Sequence, residues 1–284
     1  NTPTLAANPA NPTNGDVTVT ITYPDDASIK EYRLNGGIWI LYTTSVILSD
    51  NATVEARGTD AAGNISEVGS IIITNIDKVV PNTPILAADS ANPTNGNVTV
   101  TITYSNDVSI KEYRLNGGVW TAYSAAVGLT DNATVEARGT SVAGNISALG
   151  SITIMNIDKV APITPILTAD VAIPTNGDVT VTITYPDDAS VKEYRLDGGT
   201  WTAYTAAVVL TDNATVEARG TDTAGNLSAT GSIMIMNIDK VAPTNPILVA
   251  DTSSSTNINV TVTITYSNDA SIKEYRLSGG NWIT

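Results

Sequence analysis

The sequence predicts an all-β chain of tandem two-sheet sandwiches, about seven strands in each 81-residue repeat, on three observations. Trp39, Trp120, Trp201 and Trp282 stand 81 residues apart, and the words around them (EYRLNGGIW, EYRLNGGVW, EYRLDGGTW, EYRLSGGNW) return without insertion or deletion. Apolar and polar residues alternate at the period of two that belongs to strands, and no window shows a convincing helical period. Turn signals separate the alternating runs at the spacing of a sandwich. The 284 residues therefore divide into full repeats at 1–81, 82–162 and 163–243, with 244–284 as the N-terminal half of a fourth. Half a sandwich has no closed core. The chain is thus expected to be a window on a longer array, and its rival is a self-assembling filament subunit that completes the half repeat by strand exchange.

The elements of one repeat follow in order. TPTLAA (2–7) reads as the first strand. DVTVTITY (16–23) alternates strictly, with Val17, Val19, Ile21 and Tyr23 on one face and Thr18, Thr20 and Thr22 on the other. KEYRLNGGIWILY (30–42) reads as two short strands about Asn35-Gly36-Gly37, where glycine supplies the positive φ of a tight hairpin. NATVEARGT (51–59) turns Ala52, Val54, Ala56 and Gly58 inward and Thr53, Glu55, Arg57 and Thr59 outward, and EVGSIIITNI (67–76) reads as the last strand.

Composition removes several function classes. The chain has no Cys, His or Phe, so thiol, disulfide, imidazole and histidine-metal chemistry are absent. A net charge of −14 repels nucleic acid and anionic membranes and favours cations as small partners. No apolar run is long enough to span a bilayer, and the N-terminus lacks the regions of a signal peptide. No nucleophile–base pair or metal triad points to an enzyme.

The run ARGTDAAGNIS at 56–66, the hairpin YRLNGGIW and the joint IDKVAP resemble the bacterial immunoglobulin-like (Big-type) repeats of secreted and cell-surface proteins, among them adhesins, S-layer-associated proteins and wall enzymes. The resemblance covers essentially the whole chain. It implies immunoglobulin-like sandwiches in an extracellular or cell-surface setting, and joints whose acidic residues bind calcium and stiffen the array in some relatives.

The joint recurs as TNIDKVVPNTP (74–84), MNIDKVAPITP (155–165) and MNIDKVAPTNP (236–246). Two prolines in each restrict φ and make a short, semi-rigid link. Asp77, Asp158 and Asp239 either cap a turn or join other loop oxygens around Ca²⁺, which needs about six to eight oxygen ligands. The partners in such a site would be Asp26, Asp107, Asp188 and Asp269, or Asp89, Asp170 and Asp251 just past the joint, and Asp60 and Asp222 fit the loop of the family that the chain resembles. Ser141 stands at the equivalent position in the second repeat, and repeats one and three are the more acidic, so calcium binding is expected to alternate along the array.

Three further groups have a structural and a functional reading. Glu31, Arg33, Glu55 and Arg57 read as a solvated cross-strand ladder rather than a catalytic pair. Trp39 and Tyr42 are expected to fill the core of a chain without Phe, although an exposed pair would stack on a sugar. Asn-X-Ser/Thr tripeptides such as Asn51-Ala52-Thr53, Asn64-Ile65-Ser66 and Asn97-Val98-Thr99 are potential glycan acceptors. Together these readings give an extracellular structural array, a stalk, fibre or surface coat with neighbouring copies as partners. The alternative is an adhesive or carbohydrate-binding module directed at surface glycans or a host ligand.

Overall fold

The computed structural model describes residues 1–284 and divides them into two compact units, Asn1–Val160 and Ala161–Thr284. It contains strands and turns only, and no helix is long and apolar enough to cross a membrane.

In the first unit, the first repeat forms β1 (Thr4–Asn8), β2 (Val17–Thr22), β3 (Ala27–Leu34), β4 (Ile40–Leu41), β5 (Val46–Leu48), β6 (Ala52–Asp60) and β7 (Gly69–Ile73). The second repeats the set as β8 (Ile85–Ala88), β9 (Val98–Thr103), β10 (Val108–Leu115), β11 (Thr121–Ala122), β12 (Val127–Leu129), β13 (Ala133–Ser141) and β14 (Gly150–Ile154). The sheets run β1-β2-β5 and β4-β3-β6-β7, then β8-β9-β12 and β11-β10-β13-β14, with every pairing antiparallel. Three strands against four is the arrangement of an immunoglobulin-like sandwich.

The second unit holds a further complete set: β15 (Ile166–Ala169), β16 (Val179–Thr184), β17 (Val191–Leu196), β18 (Thr202–Ala203), β19 (Val208–Leu210), β20 (Ala214–Thr221) and β21 (Gly231–Ile235). It ends with β22 (Ile247–Ala250) paired to β23 (Val262–Thr265). Among the apolar residues of that last pair, Ile247, Leu248, Val249 and Val262 are exposed.

Period-two alternation decides what is buried. Val17 and Val19 of β2 and Val54 and Ala56 of β6 are fully enclosed and meet Val46, Leu48 and Ile73 in one core. Burying a valine side chain of this kind contributes about 1.5–3 kcal/mol. Equivalent clusters form around Val98, Val100 and Val135, and around Val179, Val181 and Val216.

Tyrosines complete this core. Tyr23 and Tyr42 lie 5.3 Å apart, centroid to centroid, and Tyr32 meets Tyr42 edge-on at 6.2 Å. β2 pairs with β5 only as far as Val19 opposite Val46. Beyond that point the Ile21 N–H donates to the Tyr42 hydroxyl at 3.1 Å, so the ring supplies the rung that the short strand does not. The Tyr23 hydroxyl in turn donates to the Glu31 carbonyl at 2.8 Å.

Trp39 corrects the sequence reading. It is half-buried on the outer face of the four-stranded sheet, with the guanidinium carbons of Arg33 and Arg57 at 4.5 and 4.3 Å from the ring centroid. The same two guanidinium groups pair with Glu55 and Glu31, each at 2.9 Å. Trp120 and Trp201 stack in the same way on Arg114 and Arg138 and on Arg195 and Arg219. The physical reason is parity: residues 39 and 42 are an odd number apart, so an extended chain turns one of them out when it turns the other in.

Candidate functional site

The joint between the first two repeats, inside the first unit, is the place where the chain does more than close a core. It is built from the first repeat outward. The Asn51 side chain pairs with Ile76 in both directions: its amide donates to the Ile76 carbonyl and its oxygen accepts from the Ile76 N–H, each at 2.9 Å. On the other side, Thr13 N–H donates to the Asn75 carbonyl and Asp77 N–H donates to the Thr13 carbonyl, both at 2.9 Å, as a short parallel bridge. Asn75 adds donations from its amide to the carbonyls of Pro9 and Asn11. Residues 75–77 therefore belong to the first sandwich.

Asp77 uses its carboxylate to turn the chain outward, its Oδ1 accepting from the Val79 N–H at 2.9 Å. Pro81 and Pro84 beyond it are buried. The Pro84 carbonyl lies so close to β14 that a Cβ on Gly150 would meet it at 2.2 Å, so only glycine fits there.

The second repeat then reaches back. In the loop after β13, Asn145 donates from its side-chain amide to the Asp77 carbonyl at 2.8 Å, and the Ala143 carbonyl accepts from the Asn14 N–H at 2.9 Å. Ser141 at the end of β13 and Ala143, Asn145 and Ser147 of this loop are buried. Ser141 Oγ accepts from the Asn145 main-chain N–H at 3.2 Å, fixing the residue that spans the joint. No charged side chain takes part in these two bonds across the joint.

Ten of the carboxylates singled out from the sequence are placed as follows. Asp158 and Asp239 turn their own joints as Asp77 does, accepting from Val160 and Val241 at 2.9 and 3.0 Å. Asp89 and Asp170 accept from the main-chain N–H groups of Thr99 and Thr180 at 2.9 and 2.8 Å. Asp60 accepts from the N–H groups of Ala62 and Asn64 and from the Asn64 amide, which holds its carboxyl below the usual range. Burial pushes the Asp222 carboxyl up, but the donors of Asn226, Ala224 and Gly225 outweigh it and bring the group below its ordinary value. Asp26, Asp107 and Asp188 are exposed at turns.

Asp26 and Asp60 share the wall of one hollow of about 120 Å³ with Asn64 and Ser66. No three acidic side chains gather where they could hold a metal ion. Because Ser141 caps the second loop as Asp60 caps the first, the carboxylate at this position is one of two interchangeable ways to shape a turn. The sequence marks Asn51 and Asn64 only as glycan acceptors, whereas the structure gives Asn51, Asn75 and Asn145 a part in holding the joint. The signal was present, since Asn51, Asn64 and Asn75 each recur at 81-residue intervals.

No protein-family model matches the chain, and no curated protein matches it. Among solved structures it is similar to the fibronectin(III)-like modules of Clostridium thermocellum CbhA, with 12% identity over 55% of this chain and 95% of the other, at a TM-score of 0.30.

Proposed function

We propose that the chain is a stretch of an extracellular structural array, in which each sandwich is a spacer and each joint sets how stiffly one spacer meets the next. The observation that carries this reading is the pair of bonds across the first joint, Asn145 to the Asp77 carbonyl and Asn14 to the Ala143 carbonyl. A flexible tether would leave those groups to water. Separate cores in the complete repeats fit a load-bearing series whose members fold largely on their own.

Calcium is not part of the proposal, because the joint carboxylates already serve as turn caps and the joint bonds are uncharged. A sugar-stacking role for Trp39 is opposed by the two guanidinium groups already at stacking distance. Stretching single chains by their ends tests the spacer reading. Complete repeats should unfold one at a time, each lengthening the chain by roughly 230–255 Å, the extended reach of 81 residues less a folded span of about 35–40 Å. A chain that lengthens smoothly at negligible force, with no repeated step, sinks it.

A further inference from the structure

The chain contains eight Asn-X-Ser/Thr tripeptides, at Asn51, Asn64, Asn97, Asn132, Asn145, Asn213, Asn226 and Asn259. This is the acceptor pattern for N-linked sugars. Six of the eight have given their amide nitrogen to the fold. Asn51, Asn132 and Asn213 donate to the carbonyls of Ile76, Ile157 and Ile238 at 2.9, 2.8 and 2.9 Å, and accept from the same residues' N–H groups. Asn64 and Asn226 donate to the carboxylates of Asp60 and Asp222, each at 2.8 Å. Asn145 holds the joint. Adding a sugar to any of these nitrogens means reaction at a group already held against its partner.

Asn97 and Asn259 are different. They share their exposure with Asn51, Asn64, Asn132 and Asn213 and lie on the turn that leads into the second strand of their repeat, but no hydrogen bond engages either amide nitrogen. Asn97 is engaged only as an acceptor, its Oδ1 taking a long contact of 3.4 Å from Lys159 Nζ. The equivalent positions in the first and third repeats are Asp16 and Asp178, and Asp178 pairs with Lys240 at 2.9 Å. The tripeptide therefore exists at this turn only in alternate repeats.

We propose that Asn97 and Asn259 are the N-glycan acceptors of this chain, taking a sugar activated at C1 as a diphosphate ester. In the transfer the amide nitrogen bonds to C1 and the bond from C1 to the diphosphate oxygen breaks. The diphosphate leaves with the bonding electrons, and one amide proton passes to base. The acceptors fall 162 residues apart, so sugars decorate the array at half the frequency of its repeats. The proposal does not depend on the spacer reading.

The test uses the folded whole chain with two donors. One arm supplies a membrane oligosaccharyltransferase and a polyprenyl-diphosphate sugar; the other supplies a soluble N-glycosyltransferase and a nucleotide-diphosphate sugar. Peptide mass mapping should find sugar at Asn97 and Asn259 in at least one arm, which identifies the carrier. Occupancy at Asn51, Asn132 and Asn213 should be at least about tenfold lower, since reaction there requires breaking the two-bond pair that each side chain makes with the main chain of Ile76, Ile157 or Ile238. Asp178→Asn, which completes the tripeptide with Val179 and Thr180, should add a third site of similar occupancy. The chain from its natural source should carry the mass addition at Asn97 and Asn259. Transfer in neither arm, equal occupancy at Asn51, or unmodified Asn97 and Asn259 in the natural protein overturns the proposal.

Discussion

The Asn145 side-chain amide donates to the main-chain carbonyl of Asp77 across 2.8 Å, although 68 positions of chain separate them. Asn145→Ala removes that donor and the contacts to Ser141, and should lower the stability of the chain to urea by about 1–2 kcal/mol. It should also speed hydrogen exchange at the Asn14 N–H, which bonds to the same loop. Asn64→Ala, confined to the first repeat's own loop, should leave Asn14 exchange unchanged; an equal effect from both variants means the joint bond carries no stiffness.

Gly150→Ala tests the close approach of β14 to the segment that leaves the joint. A methyl group there meets backbone rather than a movable side chain, so the second repeat should lose about 3 kcal/mol or more. Gly128→Ala, where a Cβ meets nothing within 4 Å, is the control and should cost far less. Equal melting curves for the two variants would contradict the geometry.

Trp120 should be quenched by acrylamide, as a half-buried indole is, and not shielded as a core residue would be. Trp120→Ala removes two guanidinium contacts and should cost about 1–2 kcal/mol, at roughly 0.5–1 kcal/mol for each exposed stack. Loss of folding on that substitution would return the ring to the core.

Alkaline titration reads the tyrosine cluster. Burial first, then the neighbouring Tyr123 and Glu112, push the Tyr104 hydroxyl up from 10.0 to about 12. Its folded-state value lies above the unfolded one, so the group binds its proton more tightly in the folded chain. The stability this contributes is present in full below the unfolded value near 10 and is lost as pH rises through about 12. Absorbance near the phenolate band should show a late-titrating class of tyrosines, and Tyr104→Phe should shrink it.

Calcium and a chelator should give the same melting temperature and the same exchange rate at Asn14. A stabilisation by calcium that Asp77→Asn abolishes would restore the cation to the joint.

Much of this was legible in the sequence. Strict alternation placed Val17, Val19, Ile21, Val54 and Ala56 in the core, and the charged ladder of Glu31, Arg33, Glu55 and Arg57 lies where alternation puts it. β5, Val46–Leu48, is not legible as an element because three residues are too few to show a period. Size alone puts Trp39 in the core, whereas its odd spacing from Tyr42 speaks against sharing a face. At the joint, the carboxylates stand out in the sequence because they are candidate ligands. Here they serve as turn caps, and the contacts between sandwiches come from an asparagine amide and main-chain groups, whose pairing depends on loops brought together only in three dimensions.

The distance along the chain between Asn145 and Asp77 also orders events in time. As the polypeptide is made from its N-terminus, the Asp77 carbonyl emerges long before its partner. The first joint therefore cannot lock until the second sandwich has been synthesised through its sixth strand and the loop that follows. Until that loop has been made, the first sandwich carries its outgoing link unfastened.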